Sequence, residues 1–486
     1  MKKRLSFVLA IAFLFAGLSA CNKPENDPSV SETRAGWTLS APAYMDGELA
    51  LNLYSTGVGL DLNPDNKAGD MQLITKTSRA KFETYLSKVQ KNGYQEIAKN
   101  EVNGNLYAEF EKDNEILYTY YTDAFGEARV IEDKVSVAHT DIEYEHTQKD
   151  GKDTVIYQYA LMNDPYGNNN KSTPYADNGM FYIIRQANDK LILVDGGSAK
   201  QAPESAVDGL LQFLYQITGK PQSEKIEVSA FILTHGHSDH KQLVQKLIQK
   251  YSDKIDIESA IYNIPWLTQK SAFMTFGALI KEKYPNIKYL KPHTGQSIRL
   301  GEVTLDILLT HEDIVDEASG FTKISNYNNT TTVMKYTVNG KTFMQLGDFS
   351  GSQNNGKEKI FLGMYKDADG AYPVLQSDIV QVAHHALEND MENTYQAIGA
   401  RYAFIPQADC NFSEYRFQQA KCSTYQDTVN DIISANANVE MFFQNRNTYA
   451  LSIAKNGAIT KLAPIAIIGA DEGYAELIGA VSPFHR

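Results

Sequence analysis

Apolar residues recur every three or four positions between Ser78 and Asn92, where Phe82, Tyr85, Leu86 and Val89 share one helical face and Gly93 supplies the stop. The pattern then shortens to period two. Residues 106–112, 116–122 and 127–132 are β-rich runs separated by Asp113-Asn114 and Ala124-Phe125-Gly126. These elements predict a helix packed on an antiparallel meander, a small α+β domain. Tyr107, Tyr118, Tyr120 and Tyr121 fall within those strands, and alternating tyrosines on a strand read as packing more readily than as a sugar-stacking surface. From about residue 150 strands and helices alternate, which predicts a layered α/β domain. Residues 179–185 and 191–194 form a hairpin around Ala187-Asn188-Asp189, and 205–217 is an amphipathic helix. The apolar run Ala230-Phe231-Ile232-Leu233 is a buried strand, and Lys241-Gln242-Leu243 opens the next helix. Three later strands, 303–309, 341–346 and 379–382, complete the pattern.

The first residues predict an address. Lys2, Lys3 and Arg4 precede an apolar run over 7–18, too short to span a bilayer and suited to the core of an export signal. The run ends in Leu18-Ser19-Ala20-Cys21, which resembles the lipobox of bacterial lipoproteins and implies cleavage before Cys21 and acylation there. The expected organisation is a signal over 1–20, a lipidated polar tether over 21–35, the small domain over 36–149 and an α/β domain over 150–486. The expected location is the bacterial cell envelope, held by lipid alone. Loss of the signal takes the formal charge from −13 to −16. Such an acidic chain disfavours nucleic acid as a partner. An apolar content of 43% over 486 residues suffices for a large core. Cys410 and Cys422 are either a short-loop disulfide or two separate thiols.

The candidate chemistry is concentrated in Thr234-His235-Gly236-His237-Ser238-Asp239-His240. With ten histidines in the whole chain, three around one aspartate at a strand end are not read as a chance surface cluster. Imidazole and carboxylate are ligands for zinc and related divalent ions. A tight loop throws His235 and His237 to one side, and Asp239 and His240 towards a second position nearby. Two metal centres from one loop is the economical reading. Further ligands are sought at other strand ends. Three candidates follow downstream, His311 after 303–309, Asp348 after 341–346, and His384-His385 after 379–382, while Asp195-Gly196-Gly197 ends the strand 191–194 upstream of the loop. His293 rivals His311 but precedes its strand.

The His-x-His-x-Asp-His pattern, with these downstream residues in this order, resembles the metallo-β-lactamase superfamily over about 150–455. The resemblance implies an αββα sandwich, which composition alone does not distinguish from a doubly wound sheet. It implies one metal held by His235, His237 and His311, a second by Asp239, His240 and His384, and Asp348 bridging both. Asp195 would brace the loop, and His385 would face the substrate as a hydrogen-bond or proton donor. Two zinc ions are the default, with manganese or iron as alternatives. The implied reaction is hydrolysis by a metal-activated hydroxide, with Asp239, His385 and Asp195 supporting it. Asn328-Asn329-Thr330-Thr331 and the doubled histidine resemble a branch that includes competence-protein hydrolase domains and choline-phosphate esterases. Ala386 stands where that branch has glycine, and Lys241-Gln242-Leu243 stands where it has glycines. The branch points to a phosphodiester or related phosphate ester, as a small molecule or a cell-envelope component. A lactone or β-lactam hydrolase and a non-catalytic metal-stabilised binding protein are the alternatives. A polar insertion over 163–178, with Tyr166 and Tyr175, is expected to wall the cleft or to be a surface loop without a role.

Overall fold

The computed structural model describes residues 45–54, 70–113, 115–134, 152–161, 179–198, 204–315, 323–351, 356–387, 391–407, 419–444 and 447–466. The expected export signal and tether over 1–35, the 163–178 insertion, Cys410 and the side chain of Cys422 lie outside the described residues.

Six antiparallel strands come first: β1 (Glu48–Tyr54), β2 (Asp70–Thr75), β3 (Gln95–Val102), β4 (Asn105–Lys112), β5 (Glu115–Thr122) and β6 (Glu127–Lys134). They pair in the order β1-β2-β6-β5-β4-β3. Helix α1 (Arg79–Lys91) starts at Ser78, whose side chain accepts from Lys81 N, and ends at Asn92 before Gly93 with φ +89°. Its predicted face packs on Leu106, Phe110, Leu117, Tyr121 and Val130. The opposite sheet face carries Met71, Tyr107, Ile116, Tyr118, Tyr120 and Ile131, and it meets Ile314, Val315 and Ile324 of the following domain. The tyrosines are therefore packing residues. Both faces are covered, so apolar residues occupy both parities of β4 and β5. The pattern also missed three strands: β1, β2 and β3. β3 is an edge strand whose residues are all exposed or half-buried, so it carries no apolar alternation.

The remaining strands build two sheets. One contains β7 (Thr154–Gln158), β8 (Phe181–Arg185), β9 (Leu191–Asp195), β10 (Ile226–Ile232), β11 (Ile255–Ile257), β12 (Ser259–Ile261) and β13 (Lys288–Leu290). The other contains β14 (Ser297–Leu300), β15 (Val303–Leu309), β16 (Val333–Val338), β17 (Lys341–Gln345), β18 (Ile379–Gln381), β19 (Tyr402–Ile405) and β20 (Glu440–Phe443). β21 (Asn447–Ile453) returns to pair antiparallel with β7 and carries β22 (Ile459–Lys461) and β23 (Ile465–Ala466) on its far edge. In both sheets the strands that end at the site run parallel: β9-β10-β12-β13 in one and β17-β18-β19-β20 in the other.

The two sheets share an inner core, with Tyr182, Ile192, Val194 and Ile232 facing Ile307, Met334, Phe343 and Phe404. Helices α2 (Glu204–Thr218), α3 (Gln242–Tyr251) and α4 (Trp266–Lys283) lie along the first sheet; Leu210, Phe213, Val244 and Leu247 pack on its outer residues. Helices α5 (Lys357–Tyr365), α6 (Glu392–Ile398) and α7 (Gln419–Ala435) cover the second through Phe361, Tyr395 and Ile432. Each fully buried Leu or Phe contributes about 1.5–3 kcal/mol of transfer free energy. The strands are apolar on both faces because each sheet is covered twice.

The six-stranded sheet β1–β6 is fastened to the sandwich by polar contacts on the segment after β15. Arg129 donates to Glu312 O at 3.0 Å and Asp313 O at 3.3 Å, and Tyr120 Oη donates to Asp313 Oδ1 at 3.0 Å. The Tyr118 and His293 rings lie 4.2 Å apart. Beneath them Glu312 accepts from His293 Nδ1 at 3.0 Å and from Asn263 Nδ2 at 2.9 Å. Burial would raise the Glu312 carboxyl, but His293 and His311 outweigh it and hold the pKa down at about 2, against 4.5 normally. A depressed carboxylate stabilises the fold above its unfolded pKa, and that stability is lost as pH falls through the folded value. Glu312→Gln is therefore expected to destabilise the protein at pH 7 by up to about 3 kcal/mol. In denaturant titrations the gap to wild type should narrow from pH 4.5 towards pH 2. A gap that stays constant over this range would remove Glu312 as its source.

Candidate metal centre

The strand ends meet at one edge of the sandwich. Asp195 is the last residue of β9, and its backbone turns to φ +60° there. Its buried carboxylate accepts from Thr234 N at 2.9 Å, Thr234 Oγ1 at 3.0 Å and His240 Nδ1 at 2.8 Å. It thus ties both ends of the 234–240 loop to the neighbouring strand. Met180 N donates to Asp239 O at 3.2 Å, and the loop is tied to the second sheet by Thr332 N, which donates to Thr234 O at 2.9 Å. Asp348 enters from the end of β17 after Gly347, whose φ is +54°. A Cβ at Gly347 would stand 2.6 Å from Thr331 Cγ2, so only glycine allows Asp348 this approach.

Two groups of donors form around Asp348. Asp239, His240, Asp348 and His385 make one, and His235, His237 and Asp348 make the other, each with its donor atoms within 4.8 Å of one another. In the first, His240 Nε2 is 3.1 Å from Asp348 Oδ1, and His385 Nε2 is 3.2 Å from Asp239 Oδ2 and 3.5 Å from Asp348 Oδ1. In the second, His235 Nε2 is 3.0 Å from His237 Nδ1 and 3.4 Å from Asp348 Oδ2.

Hydrogen bonds at the far ring nitrogens set the tautomers. His240 Nδ1–H donates to Asp195, His385 Nδ1–H to Pro406 O at 3.3 Å, and His235 Nδ1–H to Thr234 Oγ1 at 3.1 Å. All three therefore aim an Nε2 lone pair into the site. Lone pairs converging with carboxylate oxygens in a buried space repel one another unless a cation lies between them. The buried His240 Nε2 and Asp348 Oδ1 make no hydrogen bond despite their proximity. The donor sets of both groups therefore fit a divalent metal ion.

The charges agree. Burial holds the His235 pKa down to about 3, against carboxylate attraction, and lowers His237 as well. Neutral imidazole is the ligating form. Burial would push Asp348 up, but the surrounding His240, His385 and His235 take it well below the ordinary carboxylate range. Asp239 is lowered in the same way, by His240 and His385. His240 goes the other way: burial opposes its charge, but Asp348, Asp195 and Asp239 outweigh it and raise its pKa well above the usual imidazole value.

Of the expected ligands, the loop residues and Asp348 come together, and two expectations are corrected. His385, rather than His384, joins the Asp239–His240 donor group. The cause is a left-handed turn, with φ of +45°, +53° and +59° at His384, His385 and Ala386. It is braced by His384 N donating to Gly347 O at 3.0 Å and Thr428 Oγ1 donating to Ala386 O at 3.2 Å. Three such residues without glycine cost about 1–2 kcal/mol each. His385 points inward, whereas the His384 side chain is 22% exposed and its Nε2 lies 3.8 Å from Asp348 Oδ2. His384 Nε2 accepts from Asn328 Nδ2 at 2.9 Å, which places its own proton on Nδ1.

His311 belongs to neither group. Its Nε2–H donates to Asn263 Oδ1 at 3.1 Å, in the buried cluster with Glu312 and His293 that underlies the six-stranded sheet. His293 is likewise committed there. Several site residues were not read from the sequence. Tyr327 lays its ring 5.0 Å from His237, and Gln269 Nε2 donates to Thr330 Oγ1 at 2.9 Å across a non-helical step in α4. Asn263 follows β12, so a search of strand ends that included amides would have reached it.

No family model and no curated protein matches the chain. Among solved structures it is similar to the metallo-β-lactamase fold protein YhfI from Bacillus subtilis, with 15% identity, TM-score 0.34, and coverage of 64% of this chain and 100% of that one. It is also similar to zinc-bound PqqB from Methylobacterium extorquens, with 11% identity, TM-score 0.33, and coverage of 64% and 100%. A third is the diiron β-hydroxylase CmlA from Streptomyces venezuelae, with 9% identity, TM-score 0.29, and coverage of 61% and 45%. The expected αββα metallo-β-lactamase sandwich is met in the layers themselves: two facing sheets, helices outside both, and the metal donors at one shared edge.

Proposed function

We propose that this chain is a binuclear metal-dependent hydrolase acting on a phosphodiester or related phosphate ester. The observation that carries the reading is Asp348, one buried carboxylate common to two donor groups. His235 and His237 would hold one ion and Asp239, His240 and His385 the other. When bound, such ions supply Lewis acidity that acidifies a water and stabilises charge on ester oxygens. Zinc suits the nitrogen and oxygen donors, as do manganese and iron.

The His384 side chain, 22% exposed beside Asp348, is the histidine of the pair outside both donor groups, and we assign it a hydrogen bond to the bound ester. Charge favours an anionic ester. Asp195, Asp239 and Asp348 bring at most three negative charges against four on two divalent ions. Lys241 adds a buried ammonium, 7% exposed. Burial lowers its pKa to about 8, so it is largely charged at neutral pH. The site thus keeps an excess of positive charge, which attracts a phosphate diester more than a neutral lactone.

The test is an assay of the metal-loaded protein against chromogenic phosphodiesters, lactones and β-lactams. Phosphodiester kcat/KM should exceed the others by at least about tenfold. A preference for lactone or β-lactam would replace the phosphate reading. Metal uptake without turnover of any class would support a binding protein.

A further inference from the structure

Three of the candidate imidazole ligands are oriented through the ring itself, by Thr234, Asp195 and Pro406. His237 is different. Among the described residues its ring meets His235, with which it shares the donor group, and the face of Tyr327, and neither contact fixes its Nδ1 direction through a hydrogen bond to the remaining nitrogen. Its backbone is held instead. The Lys241 side chain folds back under the loop, and its Nζ donates to Gly236 O and, at 3.0 Å, to His237 O. These carbonyls belong to the peptides on either side of the His237 Cα, so fixing both limits the φ and ψ that aim the ring.

Lys241 is itself anchored. It lies where the loop enters α3, with Gln245 N donating to its carbonyl at 2.8 Å. The next two residues, Gln242 apart, are tied to the Asp195 turn: Leu243 N donates to Gly197 O at 3.1 Å and Val244 N to Gly196 O at 3.0 Å. Burying an ammonium is costly unless its donors are satisfied. Here two of the three donors are satisfied by the ligand loop.

We propose that Lys241 is a positioning residue for the metal centre of His235, His237 and Asp348, its ammonium clamping the Gly236 and His237 carbonyls and so setting the approach of His237 to the ion. This rests on the binuclear reading above. Groups that orient a ligand typically change metal affinity by about 10–100-fold when removed.

The experiment measures zinc affinity of the full metal-free protein by competition with a chromogenic chelator, alongside the metal-free thermal midpoint. Lys241→Met keeps the apolar stem and removes the donors. Its weaker zinc step should lose about tenfold or more in affinity while the other step stays within about threefold. The metal-free midpoint should not fall, since no charge is then buried. Lys241→Arg, which retains donors at similar reach, should recover most of the loss. If Lys241→Met does not fold, Lys241→Gln, polar but too short for both carbonyls, is judged by the same thresholds. Equal zinc affinity in wild type and variant overturns the proposal and leaves the hydrolase reading standing. Equal loss at both steps with a lowered metal-free midpoint also overturns it, because that marks a general packing role. Wild-type protein that takes up no zinc overturns both.

Discussion

Asp348→Ala is expected to empty both metal positions together, whereas loss of any loop ligand should weaken chiefly one. Its two oxygens face different groups: Oδ1 lies 3.1 Å from His240 Nε2, and Oδ2 lies 3.4 Å from His235 Nε2. Removing a shared anion deprives two cations of a charged donor and restores their mutual repulsion in a low-dielectric space. Elemental analysis should show a fall from about two ions per chain to well under one, with a loss of hydrolysis of at least about a thousandfold. The metal-free variant should fold. Burial opposes the Asp348 charge, and in the metal-free protein His240, raised by that same carboxylate, can give up its proton once Asp348 is gone. Retention of both ions in the variant would end the idea of a shared ligand.

The second large effect separates the two adjacent histidines. His385→Ala should remove about one of the two ions, because His385 Nε2 is the imidazole donor that faces Asp239 and Asp348 from the second sheet. His384→Ala should keep both ions and lower kcat by about 10²–10⁴, the range of a lost proton donor, with a smaller change in KM. Metal content measured beside steady-state kinetics distinguishes the cases. If His384→Ala loses an ion and His385→Ala does not, the order originally expected from the sequence is restored. If His384→Ala changes neither metal content nor kcat, His384 has no part in the reaction.

The histidine loop, Asp195 and Asp348 were legible because each announces itself locally. A ligand-type residue directly after an apolar strand lies at a sheet edge whatever that strand pairs with, and strand-parallel packing gathers such ends on one side. The α1 helix and the β4–β6 meander were legible for a similar reason, as side-chain periodicity is a property of one element. The His384-His385 choice was not. Adjacent residues in a strand point to opposite faces, but after β18 the backbone enters a left-handed turn that re-aims both rings. That turn is held by Gly347 and Thr428, 37 and 42 residues away from His384 and Ala386.

His311 makes the same point at greater range. It follows an alternating strand in the expected order, and by itself the segment gives no reason to withhold it from the metals. Its ring is instead engaged by Asn263, while the adjoining Glu312 and Asp313 are drawn under the six-stranded sheet by Arg129 and Tyr120. Local pattern thus determined the strongly periodic elements, the histidine loop and the carboxylate at which its two donor groups meet. Tertiary structure decided the pairing of sheets, the inward histidine and the histidine left out. Those choices depend on hydrogen bonds between residues far apart in the chain, whose partners a local pattern does not encode.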